Sequence, residues 1–214
     1  MKAIIFSLLG WMFLPVMDGF AKFLSDDLPI LQITWARYFF TVVFTLPIMI
    51  FFFKKQLVWS DKPKLQILRG LILLSANICF FYAISIISLA KALTLAFVAP
   101  LIVTAFSPVM LGEKVGFRRW TAVVVGFIGS LVVIRPGFVE LNFASLAALG
   151  TGILYGFYLI ITRKLSTSDN PLLTLLMTGM VGAILVSAII PFYWVKPSLN
   201  QWSLMAGIGV FACI

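Results

Sequence analysis

The sequence predicts an all-α integral membrane protein, a polytopic helical bundle of about eight helices. Three observations predict it. Hydrophobic residues make up 62% of the 214 residues, against about 45–50% in soluble domains. Charged residues make up 11%, where a soluble surface needs roughly 25–35%. The apolar residues also fall into runs long enough to cross about 30 Å of hydrocarbon, which takes roughly 17–25 residues per helix. Disorder is excluded by the same figures, since it requires low hydrophobicity and high charge.

In chain order the runs are 4–24, 31–53, 66–87, 91–111, 118–134, 144–162 and 172–194, with an eighth opening near Trp202. The first reads as a retained helix: it outruns the 7–15-residue core of a signal peptide, carries Asp18 and Lys22, and shows no A-x-A cleavage site. Between the runs lie SDDLP, KKQLVWSDKPK, LGEKVGFRR, RPGFVEL, RKLSTSDNP and VKPSLN. Connectors this short make successive helices antiparallel neighbours. Pro15, Pro100 and Pro108 remove helical hydrogen bonds and are expected to kink or break their helices. Gly126 with Gly129, and Gly150 with Gly152 and Gly156, read as close-packing faces rather than nucleotide loops.

The net charge of +9 is spread over connectors and forms no stripe on a polar face, so no nucleic-acid partner is expected. Lys2, Lys54, Lys55, Lys62, Lys64, Arg69, Lys114, Arg118, Arg119, Arg163 and Lys164 collect on one side, eleven in all. Lys22, Arg37, Lys91, Arg135 and Lys196, five, belong to the other. The positive-inside rule then puts the amino terminus in the cytoplasm. Cys79 and Cys213 lie inside apolar runs and give no disulfide or metal spacing.

An internal repeat organises the chain. AKFLSDDLPIL from Ala21 aligns with TRKLSTSDNPLL from Thr162: Lys22 meets Arg163, Leu24 meets Leu165, Ser25 meets Ser166 and, after one insertion, Pro29 meets Pro171. The offset spans five helices. An odd number turns the second copy upside down, the inverted-topology pattern of secondary transporters. The expected domains are a first repeat over 1–140 and an incomplete second repeat over 141–214. A complete second copy would run to about residue 280, so a fragment is expected.

The stretch from Phe97 to Gly137 resembles the end of an EamA domain of the drug/metabolite transporter superfamily. Pro100 in the fourth helix, Gly112 and Glu113 at its end, Arg119 and Trp120 opening the fifth, and Gly126 and Gly129 within it carry the resemblance. Asp18 and Lys22 in the first helix, Ala36 to Phe40 in the second, and Leu68 to Gly70 opening the third agree with it. The combination is most similar to the bacterial branch of S-adenosylmethionine-uptake-type carriers. The resemblance implies ten helices in two repeats, in a bacterial plasma (inner) membrane. It also marks Glu113, whose expected role is structural, pairing with a nearby arginine such as Arg119 to fix the turn.

Charged groups inside a membrane cost about 2.5–3.5 kcal/mol even on lenient insertion scales, so each calls for a reason. Asp18 and Lys22, one turn apart, read either as a self-neutralising pair or as an acid used in transport. Arg37 belongs to a polar stripe with Thr34, Thr41 and Thr45 that suggests a cavity wall, and its planar fork suits a carboxylate. Asn77 leads a weaker face on the third helix. In the sixth helix Thr151, Tyr155, Tyr158 and Thr162 step by four, three and four. For hydroxyl and amide groups interhelical packing is the commoner role. The tyrosines would suit flat or cationic metabolites. Lys91 opens the fourth helix where related carriers often have a polar or acidic residue; snorkelling accounts for it equally well.

The expected substrate-binding set is therefore Asp18, Lys22, Arg37, Asn77, Lys91, Tyr155 and Tyr158. In this reading the charged members meet at the outer end of one cavity, and the tyrosines form its wall. The sequence has no histidine and no common metal, redox, phosphate or acyl-transfer motif, so no enzyme, catalytic residue, metal or cofactor is expected. The partners expected are the lipid bilayer and a small-molecule substrate, anionic or zwitterionic by the excess of cations, with assembly as a homodimer a means of completing the fold. A channel or a small non-transporting helper subunit is the alternative; a channel would need a charged or carbonyl-lined pore running right through.

Overall fold

In a computed structural model of the chain, described over residues 15–52, 60–134 and 142–213, every regular element is helical. The described part of α1 covers 15–24; Lys2, Lys54, Lys55, Arg135 and the first fourteen residues lie outside the described residues. There follow α2 (Ile30–Phe52), α3 (Pro63–Ile86), α4 (Leu89–Ala96), α5 (Ala99–Leu111), α6 (Phe117–Ile134), α7 (Phe143–Leu165), α8 (Pro171–Ile189) and α9 (Leu199–Ala212). Among the described residues five spans are long and apolar enough to cross a membrane: α2, α3, α4 with α5, α7, and α8 with the short 3₁₀ turn Ile190–Phe192.

Local chemistry sets the helix ends. Asn142, Asn170 and Ser198 cap α7, α8 and α9 through their side-chain oxygens, and Pro171 opens α8 where its missing N–H costs nothing. Ser198 and Gln201 satisfy each other's backbone N–H groups as a capping box. Gly112, at φ 70°, ends α5 in the left-handed conformation that glycine adopts without penalty, and its N–H reaches Pro108 O at 3.1 Å.

The prolines behave differently from one another. The fourth span does break, over Phe97–Val98, immediately before Pro100. Pro108 stays inside α5, which runs on to Leu111, and Pro47 stays inside α2. Beside Pro108 the Ser107 hydroxyl donates to Val103 O at 2.6 Å, a side-chain bond in the turn where the proline ring removes a backbone one.

The chain divides into two compact units. The first holds the chain up to Pro63 and from Asn170 onward, so α1, α2, α8 and α9; the second, Lys64–Asp169, holds α3 to α7. Each draws helices from both sides of residue 140. In the first unit α2 packs against α8 and α9. Met49, Leu173 and Leu176 form its apolar centre, with Val42, Leu172 and Met177 around them. Gly182 sits on the Tyr38 ring, Gly179 on Val42 and Gly209 on Phe40, so α8 and α9 approach α2 at glycines.

In the second unit α7 packs against α4 and α5. Its Gly152 meets Val98 and the carbonyl of Ala96 at the break, and Gly156 meets Ile102 and the carbonyl of Ala99. The interrupted span therefore lies against a glycine face, which lets backbone approach backbone. Gly150, Gly126 and Gly129 have nothing within 4 Å of a Cβ built there. The close-packing reading thus holds for Gly152 and Gly156 and fails for the other three.

Candidate functional site

Within the first unit, Asp18 on α1 is 8% exposed and Arg37 on α2 is half-buried, and the two interact electrostatically. Lys22, one turn beyond Asp18, is half-buried; its carbonyl accepts the Ser25 hydroxyl at 2.6 Å. The threonines in line with Arg37 are buried. Thr34 donates to Ile30 O at 2.8 Å and Thr41 to Arg37 O at 2.7 Å, while Thr45 lies 3.4 Å from Cys213 Sγ on the last turn of α9. The Thr45 end of this stripe thus packs against the end of α9.

Nearer the start of α2, that helix, the segment leading into α9, and α9 share an aromatic network. Trp35 stacks on Phe39 at 4.5 Å and meets Trp194 edge-on at 5.4 Å, and Trp194 contacts Trp202 at 6.0 Å. The Trp35 indole donates to Ser187 Oγ at 2.9 Å. Gln32, fully buried, grips the backbone of Val195 with both ends of its amide, at 2.8 and 3.0 Å. A buried amide satisfied on donor and acceptor fixes the segment leading into α9.

The second unit contains a polar cluster that sequence reasoning assigned elsewhere. The sequence counts Arg69, at the opening of the third helix, only toward the charge asymmetry, yet it is 4% exposed. Its Nε donates to Thr162 Oγ1 at 2.7 Å and its Nη2 to Tyr158 Oη at 2.7 Å, with the guanidinium carbon 4.5 Å from the Tyr158 ring centre. One turn earlier Gln66, fully buried, donates to Asp169 Oδ2 at 2.6 Å. Tyr155 stacks on Tyr158 at 5.4 Å. Further along, Thr151 lies 3.3 Å from Ala76 O. The stripe of Thr151, Tyr155, Tyr158 and Thr162 is thus turned toward α3. A signal was present: Gln66, Arg69, Leu73 and Asn77 step by three, four and four, so Arg69 shares the buried face of Asn77, which is 7% exposed.

This arrangement corrects one expectation. Tyr158 binds Arg69, six residues from the start of α3, whereas Lys91 is exposed and follows the other end of α3. Arg69 and Ile86 are about 25 Å apart along the helix at 1.5 Å per residue. Lys91 and Tyr158 therefore stand toward opposite ends of the unit, with Tyr155 in the middle of α7. Glu113 pairs with Arg163 at 2.7 Å and with Arg119 at 3.8 Å, joining the turn after α5 to the last turn of α7. Among the described residues no group of three or more metal-ligating His, Cys, Asp or Glu side chains forms.

Apolar spans, proline-broken and glycine-packed, with charged and aromatic groups buried between them, define a multi-pass helical membrane protein. The family model for the EamA-like transporter family matches residues 1–135, and the chain belongs to that family. It is 27% identical over 192 residues to an S-adenosylmethionine uptake transporter of Rickettsia prowazekii, covering 90% of this chain and 65% of the relative. It is 23% identical to a riboflavin transporter of Vibrio cholerae, over 93% of this chain and 68% of that one. A pseudopaline exporter of Pseudomonas aeruginosa is 26% identical over 93% and 70% of the two chains. The chain thus spans about two thirds of the length of these relatives. A solved crystal structure matches its fold with a TM-score of 0.72 over 95% of this chain and 73% of the other, at 17% identity.

Proposed function

We propose that this chain belongs to a secondary-active carrier that moves a small organic metabolite by alternating access, in a bacterial inner membrane with its amino terminus in the cytoplasm. Membership of the EamA-like transporter family is the observation that carries the reading, together with relatives named for the transport of three different metabolites. The repeats over 1–140 and 141–214 supply the inverted halves. The substrate is anionic or zwitterionic: Lys22 and Arg37 outnumber Asp18 in the first two helices. Arg37 holds the substrate carboxylate with its planar fork. Asp18 interacts with Arg37 when the site is empty and releases it when substrate arrives. That exchange supplies the difference in affinity between two states without which no ligand shifts an equilibrium. Within the second unit, Asn77, Tyr155, Tyr158 and Lys91 are the further candidates for contact with substrate.

The test is a panel of metabolites offered to proteoliposomes that hold the protein expressed from its full reading frame. S-adenosylmethionine heads it, because four relatives carry that name and its amino-acid end is the zwitterion that Asp18 and Arg37 would recognise. Arg37→Lys keeps the charge and loses the fork, so KM should rise about tenfold or more, the loss of one charge-assisted hydrogen bond. If Arg37→Lys and Asp18→Asn both transport normally, these residues are membrane-edge anchors and the assignment is wrong. Cysteines at Glu140 and Lys55 test the orientation: an impermeant label from outside should reach the first and miss the second.

A further inference from the structure

The end of the second unit where α3 begins and α7 finishes carries an unusual distribution of charge. Lys64, Lys114, Arg118, Arg119, Arg163 and Lys164 are all exposed. Of the two carboxylates there, Asp169 is buried and Glu113 is 29% exposed and held in ion pairs. Asp169 is 8% exposed and takes the Gln66 hydrogen bond at 2.6 Å, and Glu113 lies between Arg163 and Arg119. These contacts show that the residues share one end of the unit. Gln66 ties the start of α3 to the residue just past α7, and Glu113 ties the turn between α5 and α6 to the last turn of α7. Arg163 and Lys164 also complement the carbonyl end of α7. Lys64, Lys114 and Arg118 have no such role. Beside them Phe117 is 81% exposed and Trp120 38%.

We propose that this end of the second unit is a docking surface for the headgroups of anionic phospholipids. Lys64, Lys114, Arg118 and Lys164 supply the attraction, and Phe117 and Trp120 sit at the headgroup boundary. Six exposed cations against one buried carboxylate and one partly exposed, ion-paired one leave a net positive face complementary to phosphodiesters that carry net negative charge. An aromatic pair at the same level matches the amphipathic rings that settle at membrane interfaces. Exposed cations near an anionic bilayer each strengthen its hold several-fold, and salt screens the effect.

The purified chain in neutral-detergent micelles provides the test, with thermal unfolding followed during titration with phosphatidylglycerol or phosphatidylcholine. Phosphatidylglycerol should stabilise at a concentration at least tenfold lower. Lys114→Gln/Arg118→Gln/Lys164→Gln should abolish that preference while leaving the phosphatidylcholine titration unchanged. For the unaltered protein, 0.5 M sodium chloride should do the same, a control that needs no variant to fold. Equal titrations with the two lipids, or a triple variant that keeps the preference, would overturn the proposal. Equal stabilisation by soluble glycerol phosphate at matched phosphate concentration would also overturn it, by revealing a small-anion site.

Discussion

The two units solve one problem by different chemistry. In the first, α8 and α9 close on α2 through glycines set against Tyr38, Val42 and Phe40, and polar contacts secure the ends: Gln32 on Val195 and Trp35 on Ser187. In the second, α7 is held to α3 by a buried guanidinium and to the broken span by glycines that meet backbone. Lipid tails are as apolar as leucine, so apolar burial does little to drive helices together inside a membrane, and close packing and hydrogen bonds must. The first unit relies mainly on packing. The second adds ionic hydrogen bonds, whose partners leave a costly buried charge if they are lost.

The largest expected effect lies at the break. A Cβ on Gly152 would stand 2.7 Å from the carbonyl oxygen of Ala96, and backbone cannot move aside as a side chain can. Gly152→Ala should give no monodisperse protein on size exclusion in detergent. A well-folded variant would show that the interrupted span floats free of α7. In the first unit the equivalent substitution is milder. Gly182→Ala meets the Tyr38 side chain at Cγ and the ring, which a shift of that one side chain can clear, so a loss of about 1–3 kcal/mol in stability is expected from overpacking. If Gly182→Ala proves as damaging as Gly152→Ala, the contrast between a side chain that can shift and backbone that cannot is lost.

Next comes the ionic contact. Tyr158→Phe keeps the ring under the guanidinium and removes the oxygen that accepts from Arg69 at 2.7 Å. A hydrogen bond to a charged group contributes about 1.5–3 kcal/mol. Thermal unfolding should show a loss in that range, and Thr162→Val a comparable one, since Thr162 accepts the other donor. A neutral result for both would mean that Arg69 is held by something other than α7.

The spans were readable in the sequence because their signal is length and apolarity, which no tertiary contact reverses. Seven of the eight predicted runs match helices to within a few residues, and the described part of the first, 15–24, is helical too. The broken fourth span was readable because Pro100 cannot donate, although Pro108 shows that a missing donor alone does not decide the outcome. The burial of Arg69 was not legible for a physical reason. A cation near a helix end looks the same in sequence whether it snorkels to water or turns inward, and only the positions of Tyr158 and Thr162 on a distant helix decide. The glycines taught the same lesson. Gly179, Gly182 and Gly209 make close contacts and form no conspicuous motif, whereas the conspicuous Gly126 and Gly129 touch nothing within 4 Å.

That last difference gives the smallest predicted effect. Gly126 lies in α6, whose described side chains from Phe117 to Gly129 are exposed or half-buried, none fully buried. A glycine in mid-helix costs about 0.5–1 kcal/mol relative to alanine, because it loses more backbone freedom on folding. With open space around it, Gly126→Ala should leave stability unchanged or raise it by that amount, and Gly129→Ala likewise, where Gly182→Ala lowers it. Unfolding midpoints of the three variants in one detergent make the comparison direct. A loss at Gly126 or Gly129 would mean that something outside the described residues covers this face of α6. Cross-linking through a cysteine at Val125, which is 67% exposed, would then show whether the cover is a second copy of the chain.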